Sequence, residues 1–361
     1  MMSVEEIIKE RVKHEGPISF RDFMEMALYY PGLGYYTASR SRIGKNGDYY
    51  TSPCLGSLFG ALIGKQIEEM WRLSGERDFT VVEYGAGSGA LCNDILSYLK
   101  ENSEIYYKLR YAIIERNAQK KFSAAGNEKV HCCASLDDIG MFNGCVLSNE
   151  LLDNFSVHQV VMEEELMEVF VDYDNGFKEL LKPASEELRN YFAALDVSLP
   201  QGFRTEVNLQ SEEWLHGISD HLHKGFVLTI DYGFHSSELY QDKRRQGTIV
   251  CYHQHKVNID PYAHIGDQDI TAHVNFSALE HYGACNGLEC CGYTDQGSFL
   301  RSLGLTSYLR KLELSGQFKA VDTRDQLFLL HNLLMDLGRK IKVLIQSKGM
   351  KGKKLMGLSL S

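Results

Sequence analysis

The sequence lacks an excess of positive charge and has no long apolar run. Its 361 residues contain 38 Lys and Arg against 48 Asp and Glu, which gives a formal net charge of −10. A protein that binds nucleic acid by neutralising phosphates needs a basic surface, and the composition indicates none. No apolar stretch approaches the roughly 18 residues that span a bilayer. We therefore expect no nucleic-acid partner and no membrane insertion, whereas a basic protein partner is compatible with the charge.

The nine cysteines also lack the paired C-x-x-C spacing of a structural zinc site. Their odd number in a long chain predicts reduced, buried thiols. Histidines and aspartates between 253 and 273 have metal-ligand chemistry, but their spacing fits no compact site, so we predict no metal. Residues 1–16 show neither the apolar segment of a secretory signal nor the Arg-rich pattern of a mitochondrial presequence. The expected location is cytoplasmic.

The chain does contain an alternation of strand and helix patterns. Short β-branched or apolar runs separated by helical periodicity are typical of buried parallel strands. They occur at 79–84, 109–114, 129–133, 145–148, 225–230 and 341–345. This alternation predicts an α/β fold with a doubly wound parallel sheet.

Two regions interrupt that alternation. Residues 1–75 have helical patterns around a polar, Gly-rich loop, which predicts an N-terminal helical cap with a loop that covers a ligand. Two apolar runs at 157–161 and 166–171 flank three glutamates and predict a hairpin, followed by a polar helical region to about 223. We therefore predict a main domain at 76–361 that carries an inserted α/β segment at about 155–222, used for substrate recognition.

The strongest chemical signal is the segment 82–90, VEYGAGSGA, at a predicted strand-to-helix junction. Gly85, Gly87 and Gly89 permit a sharp turn and the close approach of a ligand. The segment also satisfies the G-x-G-x-x-A fingerprint of dinucleotide binding. Glu83 argues against that alternative, because its carboxylate attracts the ammonium of a methionine moiety and repels a pyrophosphate at the helix N-terminus.

A second acid lies at the end of the next predicted strand. Glu115 follows Gly85 by 115 − 85 = 30 residues, which is more than the roughly 20 expected for a nicotinamide dinucleotide. A carboxylate there accepts hydrogen bonds from both hydroxyls of a ribose. An acid, a glycine loop and a second acid favour S-adenosyl-L-methionine as the cofactor. A plain tight turn with a solvated Glu115 is the alternative.

Six motifs in this order resemble the MidA-like family of class I methyltransferases. They lie at 23–36, 47–53, 83–89, 149–158, 231–233 and 269–276 and cover nearly the whole chain. The resemblance implies a Rossmann-like seven-stranded core, S-adenosyl-L-methionine as methyl donor and a protein arginine as acceptor. Mitochondrial members of the family assemble complex I by methylating an arginine of a core subunit. Ala86, where the family often has proline, and Ser156-Val157 depart from the pattern without removing a charge.

The acceptor site is predicted at the end of the fourth strand run. An arginine stays protonated in water, so its guanidinium has to be held by carboxylates. Glu150 and Asp153 are three residues apart, and one turn would point both into one crevice, with Asn149 fixing their orientation. Alternatively, Asn149 and Asp153 cap the turn that follows. His158 is either a proton acceptor after transfer or a structural histidine.

Three further predictions stay open between two interpretations. Thr51 and Ser52 either close over the cofactor or cap the helix that follows, and both roles are compatible. Asp231 either faces the acceptor cleft or caps the next turn. Four tyrosines either line an aromatic wall for the guanidinium or pack in the core, namely Tyr35, Tyr36, Tyr49 and Tyr50.

These observations favour a protein arginine methyltransferase that uses S-adenosyl-L-methionine, with a protein substrate such as a respiratory-complex subunit. One alternative is a methyltransferase for a small molecule. Another is a non-catalytic assembly chaperone of the same fold, although a scaffold of that kind need not keep Glu83, Glu115, Glu150 and Asp153. The sequence leaves the oligomeric state open.

Overall fold

The computed structural model describes residues 2–38, 57–116, 126–307 and 337–360. Its α-helices are α1 Val4–Glu15, α2 Phe20–Tyr29, α3 Ser57–Leu73, α4 Ala90–Asn102, α5 Ile105–Lys108, α6 Glu186–Ala194, α7 Gln210–His221, α8 Ser236–Leu239, α9 Phe276–Cys285, α10 Gln296–Ser302 and α11 Leu337–Lys340. Its strands are β1 Ile18–Ser19, β2 Phe79–Tyr84, β3 Leu109–Ile114, β4 Val130–Cys133, β5 Phe142–Asn149, β6 His158–Met162, β7 Leu166–Tyr173, β8 Phe177–Pro183, β9 Arg204–Val207, β10 Leu222–Phe234, β11 Val250–His253, β12 Lys256–Asn258, β13 Asp269–Thr271, β14 Val274–Asn275, β15 Glu289–Asp295 and β16 Ile341–Lys348.

The chain forms two compact units, and each is described by itself. The sheet unit comprises 51–151, 215–232 and 283–361, and the hairpin unit comprises 1–50, 152–214 and 233–282. These bounds differ from the predicted cap at 1–75 and insertion at about 155–222, because α3 contributes to the core of the sheet unit and 233–282 joins the hairpin unit. The role of the insertion in substrate recognition stays a prediction.

Seven strands of the sheet unit follow the order β15-β16-β10-β5-β2-β3-β4. The neighbours from β10 to β4 are parallel, whereas β16 is antiparallel to both β10 and β15. The predicted parallel core is therefore confirmed. The sequence did not predict β15, because most of its side chains are exposed or half-buried and an edge strand of that kind shows no apolar alternation.

The register places the carboxyl ends of four strands along one edge of this sheet. Glu83 on β2 lies beside Ile113 on β3 and Leu147 on β5. Asn149, at the end of β5, lies beside Ile230 on β10. In an open parallel sheet this edge is where ligands bind.

Helices α3 and α4 pack tightly within the sheet unit. Buried apolar side chains of both helices join the strands in one cluster, among them Ile63, Ile67 and Ile95. The two helices approach closely at Gly60, where an added Cβ would lie 2.3 Å from the Asp94 Cβ. Only a glycine permits that approach. Close packing against α3 therefore holds α4, the helix that begins at the end of the glycine loop.

The hairpin unit contains the predicted hairpin, β6 and β7, which pair antiparallel. β9 extends this sheet beyond β6, β1 pairs with β7, and β8 pairs with β7 as well. Helices α1 and α2 cover it with an apolar cluster that includes Ile8 and Phe23. The predicted polar helical region to about 223 is partly wrong, since it contains β8 and β9 beside α6 and α7. β8 is largely exposed, so it carries no apolar alternation.

Cysteine burial differs from the prediction. The described cysteines are free thiols, and Cys92, Cys145 and Cys251 are buried, but Cys132 and Cys285 are exposed. Burial raises the pKa of the Cys145 thiol to about 12. Across the described ranges, no helix is both long and apolar enough to cross a bilayer.

Candidate active site

The glycine loop connects β2 to α4 in the sheet unit. Gly85, Gly87 and Gly89 have φ values of +66°, +59° and +78°, in the left-handed region that disfavours residues with a Cβ. The Gly85 N–H donates to the Ile114 carbonyl at 2.9 Å. An added Cβ at Gly85 would lie 2.7 Å from the Leu151 Cδ1. A side chain at Gly85 would therefore collide with Leu151, and the backbone of this loop requires glycine.

The N-terminus of α4 has no side-chain cap. Gly89 occupies the N-cap position in a left-handed conformation and makes no side-chain hydrogen bond to the helix. The N–H groups of a first helical turn have no partners within the helix. They are thus positioned to donate to a polar ligand at the sheet edge.

Glu83 lies inside the sheet unit with 3% of its surface exposed. The Tyr111 hydroxyl donates to the Glu83 Oε2 at 2.8 Å. Burial raises the pKa of the Glu83 carboxyl to about 7, and the Glu115 charge adds to the rise, while the Tyr111 hydrogen bond opposes it. A cationic group brought next to this carboxyl would favour its ionised form.

Glu115 directly follows β3 and is half-buried. The hydrogen bond from Gly85 to Ile114 places Glu115 next to the glycine loop. Its predicted role as an acceptor for the ribose hydroxyls stays a prediction. Thr51, Ser52, Tyr49 and Tyr50 lie outside the described residues. Their predicted roles in covering the cofactor and lining the acceptor site stay predictions.

Glu150 follows β5 in a left-handed conformation with φ +50°. Its N–H donates to the Ile230 carbonyl at 2.9 Å, and its Oε1 accepts from the Asn149 Nδ2 at 3.3 Å. A non-glycine residue with positive φ is uncommon and occurs often at functional sites. The Asn149 Oδ1 is buried and has no hydrogen-bond partner in the part of the chain that the structure describes.

Asp231 holds the backbone that follows Glu150. This fully buried residue accepts the Leu151 N–H at 3.0 Å and the Tyr232 N–H at 2.8 Å. The carboxylate therefore caps backbone N–H groups, at Leu151 as well as at the residue that follows Asp231. The alternative role, in the acceptor cleft, stays a prediction. The Asp231 carboxylate supports the turn that presents Glu150.

Asp153 belongs to the hairpin unit and lies in the 3₁₀ turn Leu152–Asn154. It is buried, and its Oδ1 accepts from the Asn154 Nδ2 at 3.0 Å. Glu150 precedes this turn and has a left-handed backbone. The prediction that Glu150 and Asp153 share one helical turn is therefore wrong. Their joint action on a guanidinium stays a prediction.

Two tyrosines of the hairpin unit contact residues from two other motifs. The Tyr36 Oη lies 2.8 Å from both the Asn154 Oδ1 and the Asp269 Oδ1. Tyr29 stacks on Tyr36 with ring centroids 5.5 Å apart. Tyr35, in contrast, is fully buried, as expected for core packing. Asp269 is 2% exposed. It begins a motif that carries the family resemblance, but it was not predicted as a site residue.

His158 begins β6 in the hairpin unit, and its Nδ1 lies 2.7 Å from the Glu168 Oε1 on β7. Sequence reasoning missed Glu168. The signal was available, because Glu168 is a lone acid in the apolar run of β7, where period-two alternation places it on the same face as Leu166.

One groove of about 450 Å³ also lies in the hairpin unit. Its lining includes the apolar residues Phe192 and Leu199 and the charged residues Glu165 and Arg189. None of the predicted site residues lines this groove. No group of three or more His, Cys, Asp or Glu among the described residues is arranged to hold a metal ion.

The parallel sheet, the glycine loop and the two acids define an α/β methyltransferase of class I. A family model described as "Putative S-adenosyl-L-methionine-dependent methyltransferase" matches residues 62–294. The chain belongs to this MidA-like family and is a methyltransferase that depends on S-adenosyl-L-methionine.

Solved structures confirm the fold. A crystal structure of a Burkholderia thailandensis protein bound to S-adenosyl-homocysteine superposes with a TM-score of 0.87 at 28% identity, over 99% of this chain and 94% of that one. A native crystal structure from the same organism gives a TM-score of 0.85 at 27% identity, with the same coverage of 99% and 94%.

The chain is also similar to curated enzymes of animals. It is 26% identical to "Protein arginine methyltransferase NDUFAF7 homolog, mitochondrial" of Drosophila melanogaster over 339 residues, which are 84% of this chain and 76% of that protein. It is 25% identical to "Protein arginine methyltransferase NDUFAF7, mitochondrial" of Homo sapiens over 359 residues, which are 90% of this chain and 78% of that protein.

The residues present fit this cofactor. The N-terminus of α4 has no side-chain cap, so its N–H groups are available to a polar ligand. The buried Asn149 Oδ1 has no hydrogen-bond donor among the described residues. Glu83, the loop backbone and Glu115 would hold the methionine moiety and the ribose. When bound, S-adenosyl-L-methionine supplies an electrophilic methyl group.

Proposed function

We propose that this protein is a protein arginine methyltransferase. The observation that carries the proposal is the position of Glu150 in the sheet unit. Its carboxylate follows the central strand β5, and a left-handed backbone and the Ile230 carbonyl hold it at the same sheet edge as the glycine loop. A carboxylate at that edge is the group that fixes a guanidinium and orients it for in-line transfer.

Two other observations support an arginine acceptor. The curated relatives described above are named protein arginine methyltransferases. Asn149 donates to Glu150 and limits the directions that its carboxylate takes.

The proposal includes a partner and a location. Because the family resemblance points to complex I assembly, a respiratory-complex subunit is the first acceptor to test. The free thiols of the described cysteines suit a reducing compartment such as the cytoplasm. Fractionation of host cells with an antibody to the native protein tests that location.

The function is tested by incubating the purified protein and a host lysate with methyl-labelled donor. We expect label in a protein band, and methylarginine after acid hydrolysis of that band. Glu150→Gln should abolish the label, and Glu165→Gln, which removes an exposed charge on the β6–β7 turn, should leave it unchanged. Label in small metabolites instead would identify the protein as a small-molecule methyltransferase, and no label in either fraction would favour a non-catalytic chaperone.

A further inference from the structure

The turns that follow β2 and β5 are neighbours at the carboxyl edge of the sheet unit. Tyr84, the last residue of β2, lies beside Ser148 on β5, so the glycine loop and the residues after Asn149 leave the sheet at the same level. The half-buried Leu151 joins the two turns. An added Cβ at Gly85 would lie 2.7 Å from the Leu151 Cδ1 and 3.9 Å from its Cγ. The Leu151 side chain therefore lies against the backbone of the glycine loop.

The backbone of Leu151 is held by Asp231 on β10, in the same unit. The Leu151 N–H donates to the Asp231 Oδ2 at 3.0 Å, and the Tyr232 N–H donates to the Asp231 Oδ1 at 2.8 Å. Asp231 is fully buried. Hydrogen bonds from backbone N–H groups to a carboxylate are stronger than those between neutral groups. Leu151 is thus fixed from two sides, at its amide by β10 and at its side chain by the glycine loop.

Glu150 directly precedes Leu151 and depends on the same strand. Its φ of +50° lies in the left-handed region, which a residue with a Cβ adopts only where its surroundings impose it. The Glu150 N–H donates to the Ile230 carbonyl at 2.9 Å. Ile230 and Asp231 are adjacent on β10, so one strand segment holds the amides of both Glu150 and Leu151.

We propose that Leu151 and Asp231 are positioning residues that fix the Glu150 carboxylate relative to the glycine loop. The inference rests on the proposed function, in which Glu150 holds the guanidinium of the acceptor. In-line transfer requires donor and acceptor to be aligned closely, and a displacement of about 1 Å costs roughly 10²-fold in rate. The cofactor is expected after β2 and the acceptor after β5. Leu151 connects the two turns, so the position of the loop is transmitted to Glu150.

The first experiment needs no acceptor. ¹⁵N NMR of the full chain follows the Glu150 amide, assigned with Glu150→Gln, as S-adenosylhomocysteine is added to saturation. We expect the amide resonance to shift, and the shift to be at least about 2-fold smaller in Leu151→Ala, because the packed side chain carries the coupling. A shift of equal size in Leu151→Ala, or no shift in the wild type, would overturn the proposal.

Hydrogen exchange tests the role of Asp231 in the same spectra. The Leu151 amide should exchange at least about 10-fold faster in Asp231→Asn than in the wild type, because a hydrogen bond to a buried charged group is lost or weakened. An unchanged exchange rate would remove Asp231 from the proposal. These two results hold whatever the acceptor is, so they are separable from a failure of the proposed function.

The second experiment measures turnover with the acceptor identified by labelling. Leu151→Ala should lower kcat by at least about 10-fold, because Glu150 then moves relative to the cofactor. The KM for the acceptor should change less than about 2-fold, because the Glu150 carboxylate that binds it is retained. Leu151→Met conserves the volume of the side chain and should restore kcat to within about 2-fold of the wild type.

Leu73→Ala is the matched control, because it removes another half-buried leucine that packs on the core of the sheet unit, at the end of α3. It should lower the melting temperature and leave kcat unchanged in the folded fraction. A purely structural role for Leu151 predicts the same behaviour for Leu151→Ala. That outcome, or a failure of Leu151→Met to restore kcat, would refute the proposal.

Discussion

Cofactor affinity should depend on pH through Glu83. The pKa of its carboxyl is about 7 because of burial, so much of the protein carries a neutral Glu83 at mildly acidic pH. The ionised carboxylate attracts the ammonium of the cofactor's methionine moiety, and the neutral carboxyl does not. The protein without ligand must therefore lose this proton before it binds tightly.

The magnitude follows from the ionised fraction. For a pKa of about 7 this fraction is roughly one half at pH 7 and roughly 3% at about pH 5.5, and the apparent Kd scales inversely with it. S-adenosylhomocysteine should thus bind roughly 15-fold more weakly at about pH 5.5 than at pH 7. Its own amino group stays protonated across this window, since an α-amino pKa is near ~7.8.

Isothermal titration calorimetry provides the measurement. Titrations in buffers of different ionisation enthalpy should show release of close to one proton per ligand at about pH 6. Glu83→Gln should bind weakly and without pH dependence, and Glu115→Gln should bind weakly with the pH dependence retained. A wild-type Kd that is flat from about pH 5.5 to 7, without proton release, would refute the assignment of Glu83 to the ammonium.

The same group should make stability fall as pH rises. The folded pKa of about 7 exceeds the ordinary value of 4.5, so the folded state binds the proton more tightly than the unfolded state. The stabilisation is full below about pH 4.5 and is lost as pH rises through 7. With about 1.36 kcal/mol for each pKa unit, it amounts to about 3 kcal/mol. Urea unfolding of the wild type against Glu83→Gln measures it.

Three substitutions test the site and the sheet. Glu150→Gln should reduce turnover to background while calorimetry shows unchanged affinity for S-adenosylhomocysteine; retained turnover would remove Glu150 from the acceptor site. Gly85→Ala forces a Cβ into a left-handed residue near Leu151, so the free energy of unfolding in urea should fall by about 1–2 kcal/mol; an unchanged value would mean that the loop tolerates a Cβ. In Gly144→Ala, the new Cβ would lie 1.8 Å from the Thr80 carbonyl oxygen. We expect a loss of about 3 kcal/mol in urea unfolding, and a smaller loss would mean that β2 and β5 move apart easily.

The parallel core could be predicted because burial on both faces leaves a direct pattern in the sequence. Runs such as Phe79–Tyr84 and Leu109–Ile114 are mostly apolar, and the structure places both in the predicted sheet. The glycine loop is as direct, since three left-handed residues in a short turn require glycine. The exposed strand β8 leaves no such pattern, and it was predicted as helix.

Local sequence therefore determined the sheet, its glycine loop and the acids that follow its strands, because each depends on neighbouring residues and on burial. The tertiary structure alone decided the contacts that bring distant segments together: Glu168 against His158, Tyr36 against Asp269, and Asp231 against the backbone after Glu150. A hydrogen bond between remote residues depends on register and strand order. Neither leaves a periodic signal in the chain.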